Sequence, residues 1–220
     1  MTTLIIQLKG VSKSYQSTTG VNPVLEDVNL TIKPGQKVSL VGPSGSGKST
    51  LLSLIAGLLR PDGGTVELEG TALHDLNDEA RAELRAQRIG IALQSENLIP
   101  FLTALENVEL ALGFGGQRAR SSQARELLKR MGVAHRASHL PRQISGGEAQ
   151  RVSLAVALAN KPRLLLADEM VAQLDATTAE SVVGDVFHSD MAVIFVTHDL
   201  ALADQADVRL KLHNRQVVAR

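Results

Sequence analysis

The segment from Gly42 to Thr50 has the spacing of a loop that binds phosphate. It reads Gly42, Pro43, Ser44, Gly45, Ser46, Gly47, Lys48, Ser49 and Thr50, which fits the pattern G-x-x-x-x-G-K-[ST]. Glycines let backbone N–H groups point at phosphate oxygens, Lys48 is expected to meet the β and γ phosphates, and the Ser49 hydroxyl is expected to bind Mg²⁺. The pattern predicts a nucleotide site, with a ligand-free glycine-rich turn as the alternative. A kinase, a GTPase and a motor ATPase all remain open.

Two adjacent acids, Asp168 and Glu169, follow the apolar run Leu164–Ala167. Carboxylates at the end of a buried strand are costly unless they serve a cation or a water. Because neighbouring strand residues point to opposite faces, we expect Asp168 to reach the Mg²⁺ shell and Glu169 to polarise an attacking water. The alternative is a helix-capping aspartate beside a solvated glutamate. The acid pair thus favours nucleotide hydrolysis.

A serine and two glycines open the helix predicted within Ile144–Arg151. Ser145, Gly146, Gly147 and Glu148 resemble the L-S-G-G-Q signature of the ATP-binding-cassette (ABC) ATPases. A helix start of this kind binds anions, and one nucleotide does not need two such surfaces from one chain. The resemblance implies the family's head-to-tail homodimer, in which ATP lies between the phosphate loop of one subunit and the signature of the other. An ordinary helix N-cap is the alternative.

Four weaker matches follow the family's order along the chain. The resemblance implies that Gln94 contacts Mg²⁺ and serves catalysis, and that His198 lies near the γ-phosphate. It also implies that Tyr15 stacks on adenine and that Asp175 is the D-loop aspartate of the nucleotide site. The alternatives are a polar loop residue, a histidine at a helix start, a surface tyrosine and a helix N-cap.

The resemblance covers essentially the whole chain, with a few departures. Met170 and Val171 stand where the family usually has Pro-Thr after the glutamate, and Val156 stands where the signature helix often carries arginine. Without the proline the backbone keeps an extra N–H and more freedom, which puts the inter-subunit geometry of the D-loop in question. The hydrolytic chemistry is expected to survive, because Asp168 and Glu169 are both present.

The stretch from Gln94 to Val108 looks like the corresponding part of the lipoprotein-releasing and macrolide-export type of bacterial ABC ATPase. This resemblance implies a cytoplasmic subunit held at the inner face of the cell membrane by a separate integral permease, in a two-plus-two complex. The apolar side chains of Ser95–Thr103 are expected to dock that permease, with Pro100 interrupting any helix. The alternative is that they pack a helical core.

Two other classes of function remain open. A non-transport ABC ATPase acting on DNA or ribosomes usually carries long coiled coils or two cassettes, and neither feature is present. A regulatory ABC ATPase of the cell-division type would use the same nucleotide residues, so the sequence does not separate it from a transporter. The balanced formal charge of zero argues against direct nucleic-acid binding.

The elements that position these motifs predict an α/β fold. Apolar runs of strand length at Val38–Val41, Ile89–Leu93, Leu164–Ala167 and Ala192–Val196 alternate with segments of helical period, which favours a mostly parallel sheet. We expect one ABC ATPase domain over residues 1–220. It comprises an antiparallel β subdomain (1–36, with a hairpin or loop at Gly20–Pro23), a P-loop core (37–94 and 161–220) and a helical subdomain (95–160).

Composition agrees with an ordinary globular chain. Of the 220 residues 44% are hydrophobic and 2% aromatic, so the core must be aliphatic, and the chain has no cysteine. No run approaches the length of a membrane-spanning helix, and the first residues lack a secretory pattern. Seven basic residues against one acid between Arg118 and Arg142 predict a solvated face or a patch for an anionic partner.

Overall fold

The computed structural model describes residues 4–18, 20–92, 98–116, 121–171, 174 and 176–220. The strands are β1 (Ile6–Ser17), β2 (Gly20–Ile32), β3 (Lys37–Val41), β4 (Gly63–Leu68), β5 (Thr71–Ala72), β6 (Ile89–Ala92), β7 (Leu164–Asp168), β8 (Ala192–Val196), β9 (Val208–His213) and β10 (Gln216–Ala219). The helices are α1 (Lys48–Ile55), α2 (Asp78–Arg88), α3 (Ala104–Phe114), α4 (Ser121–Arg130), α5 (Gly146–Leu158), α6 (Ala176–Phe187) and α7 (Leu200–Ala203).

The chain forms two compact units. One runs from the N-terminus to Ala82 and includes Ala192–Arg220, and the other is Glu83–Met191. In the first unit an antiparallel sheet has the strand order β2-β1-β4-β5, and β3 pairs in parallel with both β8 and β9. Every residue of β8 is buried, which explains why its sequence is an unbroken apolar run.

The second unit combines a parallel strand pair with helices. Ile91 of β6 lies opposite Leu166 of β7, and α3, α4 and α5 lie between these strands in sequence. Helix α5 packs on β6, and its buried side chains include Val152, Leu154 and Ala155. The expected α/β class with a parallel core and an antiparallel β start is confirmed.

Two local expectations differ from the structure in detail. Gly20–Pro23, expected as a hairpin or a loop, lies within β2 as part of the β1–β2 hairpin, where Gly20 pairs with Ser17 and Pro23 with Ser14. Proline is tolerated there since β2 is the edge strand of its sheet. The apolar pattern after the phosphate loop predicts a helix from about Lys48 to Leu58, but α1 ends at Ile55, and Gly57 takes a left-handed φ of 65° just beyond it.

Within the described part of the chain, no helix combines the length and the apolar character that crossing a membrane requires.

Strand β4 packs closely against β1 at Gly64, so a side chain at this position should be costly. Gly64 has a φ of 78°, and a Cβ atom there would lie 2.3 Å from the Gly10 carbonyl oxygen. We therefore expect Gly64→Ala to lower the free energy of unfolding by about 2–4 kcal/mol, measured by urea denaturation. The matched control is Gly63→Ala, whose Cβ would meet nothing within 4 Å and should change stability by less than about 0.5 kcal/mol. Equal losses in the two variants would contradict this packing.

Candidate functional site

Helix α1 begins without a cap. Its first turn follows Gly47, which has a φ of 104° and offers no side chain to the helix, and the first turn contains no acid. The amide donors and the positive dipole end of such a helix are available to an anion. The phosphate loop therefore has the local structure that its sequence predicts.

Gly47 is required at this position because other strands approach it closely. A Cβ atom there would lie 2.6 Å from Val24 Cγ1 of β2 and 3.5 Å from Leu212 Cδ2 of β9. Gly42, at the other end of the loop, would bring a Cβ to 2.8 Å from the Leu212 carbonyl oxygen. Strands β2 and β9 thus fix the path of the loop at both ends.

The Lys48 ammonium is held on the loop itself. Its Nζ donates to the carbonyl oxygens of Gly42 and Pro43, both at 2.8 Å, and the residue is 8% exposed. An ammonium has three N–H donors, so one remains for a phosphate oxygen. Ser49 is exposed at the next position.

Tyr15 lies beside the first turn of α1. Its hydroxyl is 3.4 Å from Thr50 Oγ1, and Lys13 Nζ lies 5.9 Å from the centre of its ring. The residue is 41% exposed, so its ring is accessible to a stacking partner. Lys13 is itself bonded to Asp62 at 2.6 Å, and this hydrogen bond holds the pKa of Asp62 below its usual range.

His198 follows β8 and is exposed. It lies between Thr197, whose hydroxyl accepts from the Asp199 N–H at 3.0 Å, and Asp199, which caps α7 by accepting from the Ala201 N–H at 2.8 Å. These bonds define the backbone on its C-terminal side. The sequence pattern indicates His198 alone and does not reveal these two local hydrogen bonds.

In the second unit, the two acids are not successive strand residues. β7 ends at Asp168, and Glu169 has a left-handed φ of 54°. Strand alternation therefore does not set the direction of the Glu169 carboxylate, because the strand ends one residue earlier. Both residues are half-buried.

Gln150 of α5 supports the turn that contains Glu169. Its Nε2 donates to the carbonyl oxygens of Glu169 at 3.3 Å and Met170 at 3.4 Å, and the residue is 4% exposed. A left-handed backbone at a non-glycine residue costs free energy that its surroundings must offset. No sequence motif gives Gln150 a role, and the available signal is that it is a polar residue on the buried face of α5. Met170 is 2% exposed, so this departure from the family pattern is a packed core side chain.

Helix α5 begins with a complete capping box. The Ser145 side chain accepts from the Glu148 N–H at 3.3 Å, and Glu148 Oε2 accepts from the Ser145 N–H at 2.8 Å. Glu148 Oε1 lies 2.8 Å from Arg136 Nε and 3.2 Å from His135 Nε2. The Arg136 guanidinium above all, then the Ser145 N–H, lowers the pKa of Glu148 to about 2, so its carboxylate is ionised at neutral pH. Ser145 and Gly146 are exposed.

Not every predicted site residue can be placed. Gln94 and Asp175 lie outside the described residues. Glu148 lies at the signature but with both carboxylate oxygens engaged within its own chain. Arg136, counted in sequence only as part of a basic run, is the partner of Glu148, which no local pattern could reveal because twelve residues separate the two.

A glycine-rich phosphate loop between a parallel strand and a helix is that of a P-loop nucleotide hydrolase. A sequence profile of the ABC transporter family matches residues 25–172 of the chain. The chain belongs to this family, and it is an enzyme that binds and hydrolyses ATP.

Comparison with individual proteins agrees with this family assignment. The chain is 42% identical over 209 residues to the lipoprotein-releasing system ATP-binding protein LolD 2 of Caulobacter vibrioides, with 92% of each chain covered. It is 41% identical to the LolD of Shewanella denitrificans, with 96% of this chain and 93% of that protein covered. A dimeric post-hydrolysis structure of the ATP-binding cassette MJ0796, bound to ADP and Pi, superposes with a TM-score of 0.90 at 40% identity and covers 96% of each chain. The predicted family, ATPase activity and likeness to the lipoprotein-releasing subgroup are confirmed.

Proposed function

We propose that two copies of the chain close head to tail around ATP and drive a separate membrane permease of the lipoprotein-releasing kind. The observation that carries this proposal is that one chain contains two glycine-containing helix starts of the kind that can face an anion, the uncapped start of α1 and the capped but exposed Ser145–Gly146 start of α5. The names of the LolD relatives and the dimeric state of MJ0796 support it.

The first unit binds the nucleotide. The loop from Gly42 to Thr50 holds the phosphates with its N–H groups, Lys48 meets the β and γ phosphates, and Tyr15 stacks on the adenine, a contact of roughly 1–3 kcal/mol. His198 acts at the γ-phosphate, and its exposed position after β8 leaves the ring accessible.

Oxygen atoms of the chain bind Mg²⁺ and accept the proton of the attacking water. The exposed Ser49 hydroxyl and the Asp168 carboxylate are ligands of the kind that Mg²⁺ prefers, and Gln94 adds an amide oxygen. Bound Mg²⁺ supplies charge neutralisation to the phosphates. Glu169 takes the proton of the attacking water, in a backbone turn that Gln150 holds through two carbonyl oxygens. Asp175 contributes to the nucleotide site as the D-loop aspartate.

Removing the general base should separate binding from hydrolysis. Glu169→Gln keeps the shape of the side chain but cannot accept the proton, so we expect ATP hydrolysis to fall by about 10²–10⁴-fold. ATP should then convert the variant from monomer to dimer, measured by size exclusion with light scattering. Lys48→Ala is the control that should lose nucleotide binding and stay monomeric. Hydrolysis at the wild-type rate by Glu169→Gln would remove Glu169 from the mechanism.

We further propose that the permease docks on the turn from Ile99 to Thr103. Phe101 at its centre is 77% exposed, whereas Leu98 just before it is 7% exposed and packs inside. Phe101 therefore fits the docking interpretation of this stretch, and Leu98 fits the core interpretation. Ser95–Asn97, the rest of the predicted docking stretch, lie outside the described residues.

Asn107 makes this turn rigid. Its Oδ1 accepts from the Ile99 N–H at 2.8 Å, and its Nδ2 donates to the carbonyl oxygens of Leu102 at 3.0 Å and Thr103 at 2.9 Å. The residue is 4% exposed, so these bonds are shielded from water. A large apolar side chain presented to solvent on a fixed turn suits a protein contact. Docking there would hold the subunit at the inner face of the membrane.

A charge on this turn should block the permease. We expect Phe101→Glu to abolish recovery of ABC permease subunits with the affinity-tagged chain from detergent-solubilised membranes, because binding would bury the carboxylate. The matched control is Val21→Glu, a 62% exposed apolar position in the other unit, which should recover permease like the wild type. The melting temperature of Phe101→Glu should stay within about 2 °C of the wild type, since little of Phe101 is buried. Undiminished permease recovery with Phe101→Glu would refute docking at this turn.

A further inference from the structure

In the proposed function the start of α5 contacts phosphate. The same helix start carries a carboxylate. Glu148 lies in its first turn, where a negative charge favours the helix but competes with an incoming anion. The other anion-binding helix has no acid in its first turn. A helix start with a free carboxylate would repel the γ-phosphate, so the charge of Glu148 must be compensated.

The surroundings of Glu148 provide that compensation. Its side chain is 12% exposed, and Arg136 Nε donates to Oε1 at 2.8 Å. His135 Nε2 lies 3.2 Å from the same oxygen on a side chain that is 59% exposed. Only the arginine carries a fixed positive charge, because a histidine is charged only when it is protonated.

The second carboxylate oxygen is committed to the helix start itself. Glu148 Oε2 accepts from the Ser145 N–H at 2.8 Å and from the Ser145 hydroxyl at 3.1 Å. The arginine therefore fixes one end of a chain of hydrogen bonds whose other end is the residue that opens the signature. Charge-assisted bonds of this kind are stronger than neutral ones.

We propose that Arg136 is a positioning residue for ATP-dependent dimerisation. By holding the Glu148 carboxylate it neutralises the acid and fixes Ser145, so that the start of α5 can receive the γ-phosphate of ATP bound to the partner subunit. This role rests on the proposed head-to-tail dimer. Arg136 touches no substrate in this scheme and acts only through Glu148.

The test is a double-mutant cycle in the Glu169→Gln chain, which should accumulate as a dimer with ATP. We measure the ATP concentration that gives half-maximal dimer by light scattering. Arg136→Gln should raise it about tenfold, since it removes a charge-assisted hydrogen bond and leaves the carboxylate uncompensated. Adding Glu148→Gln should bring it back to within about threefold, because a glutamine is neutral and can still complete the capping box.

The controls separate this role from folding. Arg142→Gln, at an exposed arginine three residues before the signature serine, should leave the half-maximal concentration unchanged. Binding of a fluorescent ATP analogue to the monomeric Arg136→Gln chain should also be unchanged, because the phosphate loop lies in the other unit. With Glu169 intact, Arg136→Gln should raise the apparent KM for ATP while kcat stays within about twofold, since excess ATP can still drive dimerisation.

Three results would overturn the role of Arg136. The Arg136→Gln chain could dimerise like its parent, or the added Glu148→Gln could fail to restore dimerisation in a chain whose thermal melt is normal. Arg136→Lys, which retains a charge but not the planar geometry, should fall between the two extremes, and a loss as large as that of Arg136→Gln would also count against it. If the Glu169→Gln chain itself stays monomeric with ATP, the proposed function fails, and the role of Arg136 fails with it.

Discussion

The amide donors at the start of α1 have no side-chain cap, and an anion is what completes them. Much of the first unit serves this constraint. Gly47 adopts a backbone conformation that a side chain would disfavour, Val24 leaves no room for a Cβ there, and the Lys48 ammonium is held in advance on two loop carbonyls. The site is therefore preorganised for phosphate, and little rearrangement is needed on binding.

The start of α5 also has N–H groups that need hydrogen-bond acceptors, but unlike the start of α1 it is capped by side chains of its own chain. Ser145 and Glu148 cap it from within the chain, which stabilises the helix and leaves the exposed serine–glycine turn at a defined position. A start that is already capped binds an anion less readily than an open one, which fits the proposed dimer, in which the partner subunit brings the phosphate to it. This asymmetry suits a nucleotide that is bound first by one subunit and then shared with a second.

The sequence predicts the parts of this arrangement that depend on neighbouring residues. The phosphate loop is such a case, because its glycines and Lys48 are adjacent and their backbone requirements are local. The turn at Glu169 was mispredicted, since strand alternation assumes a strand that the left-handed backbone ends. Contacts between distant residues, such as Arg136 with Glu148 or Gln150 with Glu169, arise from tertiary packing and have no local pattern. Gly20–Pro23 is expected as a hairpin or a loop, and the sequence does not show that these residues already pair in β2, because an edge strand tolerates a proline that resembles a loop residue.

In the proposed dimer each nucleotide is shared between the phosphate loop of one subunit and the signature of another, and mixing two inactive variants tests this sharing. Lys48→Ala spoils the loop, and Ser145→Arg spoils the signature, so each variant alone should be inactive. A mixed dimer keeps one intact loop facing one intact signature, and we expect ATPase activity to return to about one working site per heterodimer. If mixtures stay as inactive as either parent while labelled subunits show that heterodimers form, the shared site is contradicted.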